Sequence, residues 1–133
     1  MTPERLASLA AYAGPWLQTD GASGPYPFGP RIPVSARRAV YVVCAWSGRV
    51  LYVGSTTTGV GVRFAQHLVD LGKTLDWATA YVVPLTDDAP TAEVRRIEGC
   101  IGLAVGPEHN KALPRIAQLH RITRGRGVRS TPS

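Results

Sequence analysis

Residues 39–54 (AVYVVCAWSGRVLYVG) constrain this chain more than any other stretch. Two arms rich in Val and Tyr flank Ser47-Gly48, which is the pattern of a β-hairpin. A two-residue turn makes the arms antiparallel, and centring it on Ser47-Gly48 sets Tyr41 opposite Gly54 and Val43 opposite Tyr52. Strand side chains alternate, so Tyr41, Val43 and Tyr52 share one face. Val40, Val42, Cys44, Leu51 and Val53 take the other and read as core. The two tyrosines become diagonal neighbours, roughly 7–8 Å apart at the backbone. Gly54, lacking a side chain, leaves open space beside the Tyr41 ring. The pair reads either as an aromatic cross-strand contact worth ~0.2–1 kcal/mol or as two phenols converging on a reaction centre.

The flanking segments define a domain around this hairpin. Residues 3–13 read as a helix that Thr2 can cap, with Pro3 at its first position and Gly14-Pro15 as its stop. Residues 14–33 hold five prolines and four glycines, which excludes helix and central strand. This arm carries Trp16, Tyr26 and Phe28, so it is expected to pack over the sheet. Residues 60–72 read as a helix with Val60, Phe64, Leu68 and Leu71 as its apolar stripe and Gly72 as its end. Residues 78–84 read as a third strand and 91–105 as a further helix, with a loop at 106–110 and a last helix at 114–123. Strand, strand, helix, strand, helix describes an α+β domain in which helices pack on a small sheet.

Composition narrows the class. The chain has 133 residues, 44% of them hydrophobic, which suits one domain with a core. No apolar run approaches ~18 residues, so no membrane span is expected, and Met1–Leu17 lacks the pattern of a signal peptide. Cys44 and Cys100 form no C-x-x-C pair, which argues against a disulfide scaffold or zinc ribbon and fits a reducing cytoplasm. The net charge of +6 is uneven: residues 39–110 hold five Lys/Arg and seven Asp/Glu, whereas 111–133 hold six Lys/Arg and no acid. Such a tail either binds phosphates through counterion release or only keeps the protein solvated.

Three polar residues stand out on the helices. Arg63 and His67 lie i,i+4 on one helix face, beside the Val60/Phe64 stripe. Each has an ordinary explanation: a snorkelling surface arginine, and a core-edge histidine bonded to a carbonyl. Glu98 falls inside the stripe of Val94, Ile97, Ile101 and Val105, where a carboxylate needs a cationic partner, either an arginine such as Arg95 or a metal. Gly99 and Gly102 on the same helix allow another backbone to approach closely.

Tyr41, then Tyr52-Val53-Gly54 eleven positions on, Arg63 and His67 on a helix, Glu98, and Pro107…Asn110 together resemble the GIY-YIG nuclease superfamily. The first signature reads Ala39-Val40-Tyr41 here and the second Tyr52-Val53-Gly54, and the likeness runs from about residue 39 to 114. It implies an α+β fold with a small three-stranded antiparallel sheet flanked by helices, to which this chain adds an N-terminal helix and Pro/Gly-rich arm (1–38) and a basic C-terminal helix or tail (115–133). It also implies a DNA endonuclease using one Mg²⁺ or Mn²⁺. By that similarity Tyr41 is the general base or water-orienting phenol, Tyr52 assists at the phosphate, Arg63 binds the scissile phosphate, His67 follows one turn later, and Glu98 holds the metal. Gly54, Ser55 and Asn110 are expected near the substrate, with Asn110 ordering its loop. Three features depart from the pattern: Ala39 replaces a glycine, the stretch between Gly54 and Arg63 (STTTGVGV) is one residue longer than in many relatives, and Ser55 stands where some relatives have Lys, so no amine adjoins Tyr41 from there.

These residue types suit phosphodiester hydrolysis. A guanidinium gives a planar double donor to phosphate, and a hard cation on one carboxylate acts as a Lewis acid. A free phenol, with a pKa of about 10, needs a nearby cation, for which Arg63, the metal and His67 are the candidates. Arg121, Arg124, Arg126 and Arg129 can hold backbone phosphates without reading sequence. Sequence specificity is then either low or set by the arm, the tail, a homodimer or a partner protein. Two other readings compete: a non-catalytic nucleic-acid-binding module on the same scaffold, and a structural interaction protein without DNA affinity.

Overall fold

The structure, a computed structural model, describes residues 1–107. Thr2 caps α1 (Pro3–Ala10): its Oγ1 accepts from the Arg5 N–H at 3.0 Å, and Pro3 occupies the first turn, where no N–H is required. The helix is shorter than expected from its sequence. It tightens into a 3-10 segment, Ala11–Trp16, in which Gly14 takes φ +54° and turns the chain. There follow β1 (Ser23–Pro27), β2 (Arg38–Cys44), β3 (Val50–Thr56), α2 (Val60–His67), α3 (Leu71–Thr74), β4 (Thr79–Leu85) and α4 (Thr91–Val105). The expected last helix at 114–123 lies outside the described residues, as do Asn110 and the tail arginines.

The architecture is α+β, with an antiparallel sheet in the order β1-β4-β2-β3. The sheet therefore has four strands where three were expected. The extra strand comes from the Pro/Gly-rich arm, where Ser23 pairs with Val82 and Tyr26 with Ala80. Pro25 and Pro27 have no N–H to donate, but β1 sits at the sheet edge and bonds on one side only, so the loss is tolerated.

Tyr41 faces Gly54 and Val43 faces Tyr52, the register read from the hairpin. The turn itself is longer than two residues. Ala45 N–H donates to the Arg49 carbonyl and Gly48 N–H to the Ala45 carbonyl, each at 2.9 Å, and Cys44 pairs with Val50. The resulting bulge opposes two residues of β3 to Val43 and rotates Leu51 away from Val40 and Val42. Leu51 packs instead on the Tyr41 side, a correction to the alternation read from sequence.

Helices cover both faces of the sheet. On one, Leu6 and Leu9 of α1 and Val94, Ile97 and Ile101 of α4 pack on Val40, Val42, Val53 and Val83. On the other, Val60 and Phe64 of α2 join Ile32, Tyr41, Val43, Leu51, Trp77 and Val82. Phe28 from the arm closes this second core, 4.6 Å from Phe64 and 5.1 Å from Trp77 between ring centroids. The arm comes so close that a Cβ on Gly61 would stand 2.6 Å from the Pro30 carbonyl oxygen.

α2 ends at His67, five residues before Gly72. Asp70 starts α3 by accepting from the Lys73 N–H at 3.0 Å, which breaks the longer helix expected over 60–72. The buried stripe is consequently Val60, Phe64 and His67; Leu68 is only half-buried and Leu71 is exposed. Among the described residues, no helix is long and apolar enough to cross a membrane.

Candidate active site

β2 and β3 carry Tyr41 and Tyr52 side by side, with ring centroids 6.3 Å apart and planes 27° from parallel. The space above Gly54 is not open, contrary to expectation. A Cβ there would lie 2.6 Å from Tyr41 Oη and 2.8 Å from Tyr52 Cε2, so the two phenols fill the place a side chain would take. Gly54 is needed for this close approach. Phe64 meets Tyr41 edge-on at 5.0 Å, and Trp77 packs against Tyr52 at 4.9 Å.

The α2 helix brings His67 over both rings. Its Nε2 is 2.7 Å from Tyr41 Oη, and its ring lies 5.1 Å from those of Tyr52 and Trp77. His67 is only 5% exposed. Burial, and then the charges of Lys73 and Arg63, push its pKa down to about 4. His67 is therefore neutral near pH 7 and drops out of the cations expected to act on Tyr41. Arg63, one turn earlier, donates from Nη1 to Gln66 Oε1 at 3.0 Å and is close enough to both phenol oxygens to lower their pKa values by charge and hydrogen bonding. Burial outweighs it at both: Tyr41, 0% exposed, is held well above the ordinary phenol range, and Tyr52 is raised as well.

Glu98 approaches from α4. It does not pair with Arg95 in an ion pair among the described residues; its Oε1 accepts from the Ser55 hydroxyl at 2.5 Å. Ser55, expected near the substrate, thus anchors the carboxylate. Burial raises the Glu98 pKa, while Ser55, Arg95 and Arg63 oppose the rise. The carboxylate in turn pushes both phenols upward, so Glu98, Arg63, Tyr41 and Tyr52 share one electrostatic neighbourhood. No group of three or more His, Cys, Asp or Glu side chains gathers for a metal among the described residues. A single carboxylate with one oxygen held by a hydroxyl fits a hard cation that keeps most of its ligands as waters and substrate oxygens.

Two neighbours of the site carry no clear signal in the sequence. Trp77, 7% exposed, walls it off below β4. Lys73, on α3, places Nζ 4.3 Å from the Tyr52 ring centroid, 5.5 Å from that of Trp77 and 3.4 Å from His67 Nδ1. A helix continuing to Gly72 would carry Lys73 roughly 9 Å along the axis from His67. The Asp70 break, whose only sequence signal is an N-cap residue inside an apolar periodicity, folds it back. Compared with known proteins, the chain matches no family model, no curated protein and no solved structure.

Proposed function

We propose that this chain is a divalent-metal-dependent DNA endonuclease of the GIY-YIG type. The observation that carries the reading is the meeting of Tyr41, Tyr52, Arg63 and His67 on one sheet face, with the Glu98 carboxylate inside the same electrostatic neighbourhood. These are the residue types that phosphodiester hydrolysis requires: a double donor for an anionic phosphate, hydroxyls to order water and an acid for a hard cation.

In this reading Glu98, held by Ser55, would hold one Mg²⁺ or Mn²⁺, and that ion would supply Lewis acidity at the phosphate. Arg63 takes a phosphate oxygen, giving up its bond to Gln66, a neighbour exposed to solvent. His67 keeps the Tyr41 oxygen in place at 2.7 Å. The tail arginines Arg121, Arg124 and Arg126 add phosphate contacts beyond the described residues.

Full burial of Tyr41 favours a second reading, a non-catalytic nucleic-acid-binding module, because a phenol with no exposed surface does not touch water in the DNA-free chain. Labelled duplex, flap, junction and single-stranded DNA, incubated with Mg²⁺ or Mn²⁺, decide between the two. We expect metal-dependent cutting that falls at least ~100-fold in Tyr41→Phe and in Glu98→Ala, with both variants folded. Cutting at wild-type rate in either variant removes the site assignment. Binding in EDTA without cutting in metal establishes the module.

A further inference from the structure

We infer that Lys73 is a positioning residue: its ammonium donates to Nδ1 of His67 and locks the imidazole as the Nε2–H tautomer, so that His67 donates to the oxygen of Tyr41. The argument starts from donor inventories. An ammonium has three donors and no acceptor, so the 3.4 Å contact between Lys73 Nζ and His67 Nδ1 requires a lone pair on Nδ1. A neutral imidazole carries its single proton on the other nitrogen, and which one is set by the partner of its opposite number. The proton then lies on Nε2, along the 2.7 Å contact to Tyr41 Oη.

The surroundings hold this arrangement. Tyr41 faces His67 from β2, Tyr52 from β3, Arg63 from its own helix, Lys73 from α3, and Trp77 from the loop before β4. Among the described residues, none of these groups facing His67 bears a negative charge at neutral pH. Burial between two cations keeps the ring neutral, in keeping with its low pKa. Lys73 is itself fixed: its N–H is bound by Asp70, and its ammonium lies over the Tyr52 ring at 4.3 Å.

The consequence concerns Tyr41. An oxygen receiving N–H donors from His67, with the Arg63 guanidinium close by, cannot aim its own hydrogen at either. The phenol proton is turned away from both, and charge developing on the oxygen meets the His67 N–H already in position. The amine that position 55 does not provide is thus supplied from α3, acting through the imidazole. The tautomer is independent of the nuclease reading; its effect on rate rests on that reading.

Long-range ¹H–¹⁵N spectra of histidine-labelled full-length protein at pH 7 test the tautomer without DNA. We expect His67 to show a protonated Nε2 and a bare Nδ1 in the wild type, to lose that pattern in Lys73→Met, and to keep it in Lys73→Arg. A wild-type His67 protonated on Nδ1 overturns the inference even if no variant folds, as does an unchanged pattern in folded Lys73→Met. Where wild-type protein cuts DNA, Lys73→Met is expected to lower kcat about tenfold with little change in KM, with Lys73→Arg restoring most of it. An unchanged kcat in Lys73→Met overturns the positioning role, whereas absence of cutting by wild type overturns only the nuclease reading.

Discussion

Gly54 and His67 are the residues whose local chemistry is most open to test. Any Cβ at position 54 meets Tyr41 Oη at 2.6 Å and the edge of Tyr52 at 2.8 Å, and Tyr41 sits in a packed core with no exposed surface. Gly54→Ala is therefore expected to destabilise the domain by ~1–3 kcal/mol, measured by urea unfolding. His67 titrates near 4 in the folded chain against 6.5 unfolded. Between those values the unfolded state binds more protons, so the stabilising preference for neutral His67 is complete above pH 6.5 and is lost as pH falls toward 4. The part of the acid sensitivity due to this residue, on the order of 1–3 kcal/mol, should vanish in His67→Gln when unfolding midpoints are compared across that window. An identical pH profile in the variant contradicts the assignment.

At the scale of elements, the junction between α2 and α3 matters most. Asp70 ends one periodicity and starts another, and through its bond to the Lys73 N–H it decides where the ammonium lands. Asp70→Ala should cost ~0.5–2 kcal/mol of stability, read by denaturant unfolding, and should weaken the Lys73–His67 contact. α4, Thr91–Val105, forms over the residues its pattern marks, because Pro90 precedes it, Gly106 at φ +60° ends it, and Val94, Ile97 and Ile101 recur at helical spacing between them. The end of α2 is not legible in the same way. Leu68 and Leu71 continue an apolar period that competes with one capping side chain, and periodicity alone does not rank the two. β1 escapes a reading by composition because proline content excludes central strands but not an edge strand.

Across the whole molecule, charge and chemistry are segregated. The candidate site sits in the mildly acidic middle of the chain, while residues 111–133 hold six Lys/Arg and no acid. If this tail grips DNA, removing residues 115–133 should weaken binding and flatten the plot of log affinity against log salt by about 0.9 for each phosphate the tail neutralises. An unchanged slope, measured by titration at several salt concentrations, would restrict the tail to solubility. The protein's second core, built from Phe28, Phe64, Trp77, Tyr41 and Tyr52, joins arm, helix and hairpin around the candidate site, so that stability and site geometry share the same residues.

By itself the sequence determined what depends on near neighbours: the cap on α1, the span of α4, and the one-turn spacing of Arg63 and His67, whereas Tyr41 meets Gly54 as read only because the bulge at Leu51 offsets a longer turn. The first three follow from capping and helical period, which act over a few residues. Tertiary structure alone decided that Ser55 holds Glu98, that Lys73 reaches His67, and that burial drives His67 down and Tyr41 up. Desolvation and contacts between distant elements exist only once the layers have packed, so no local pattern encodes them.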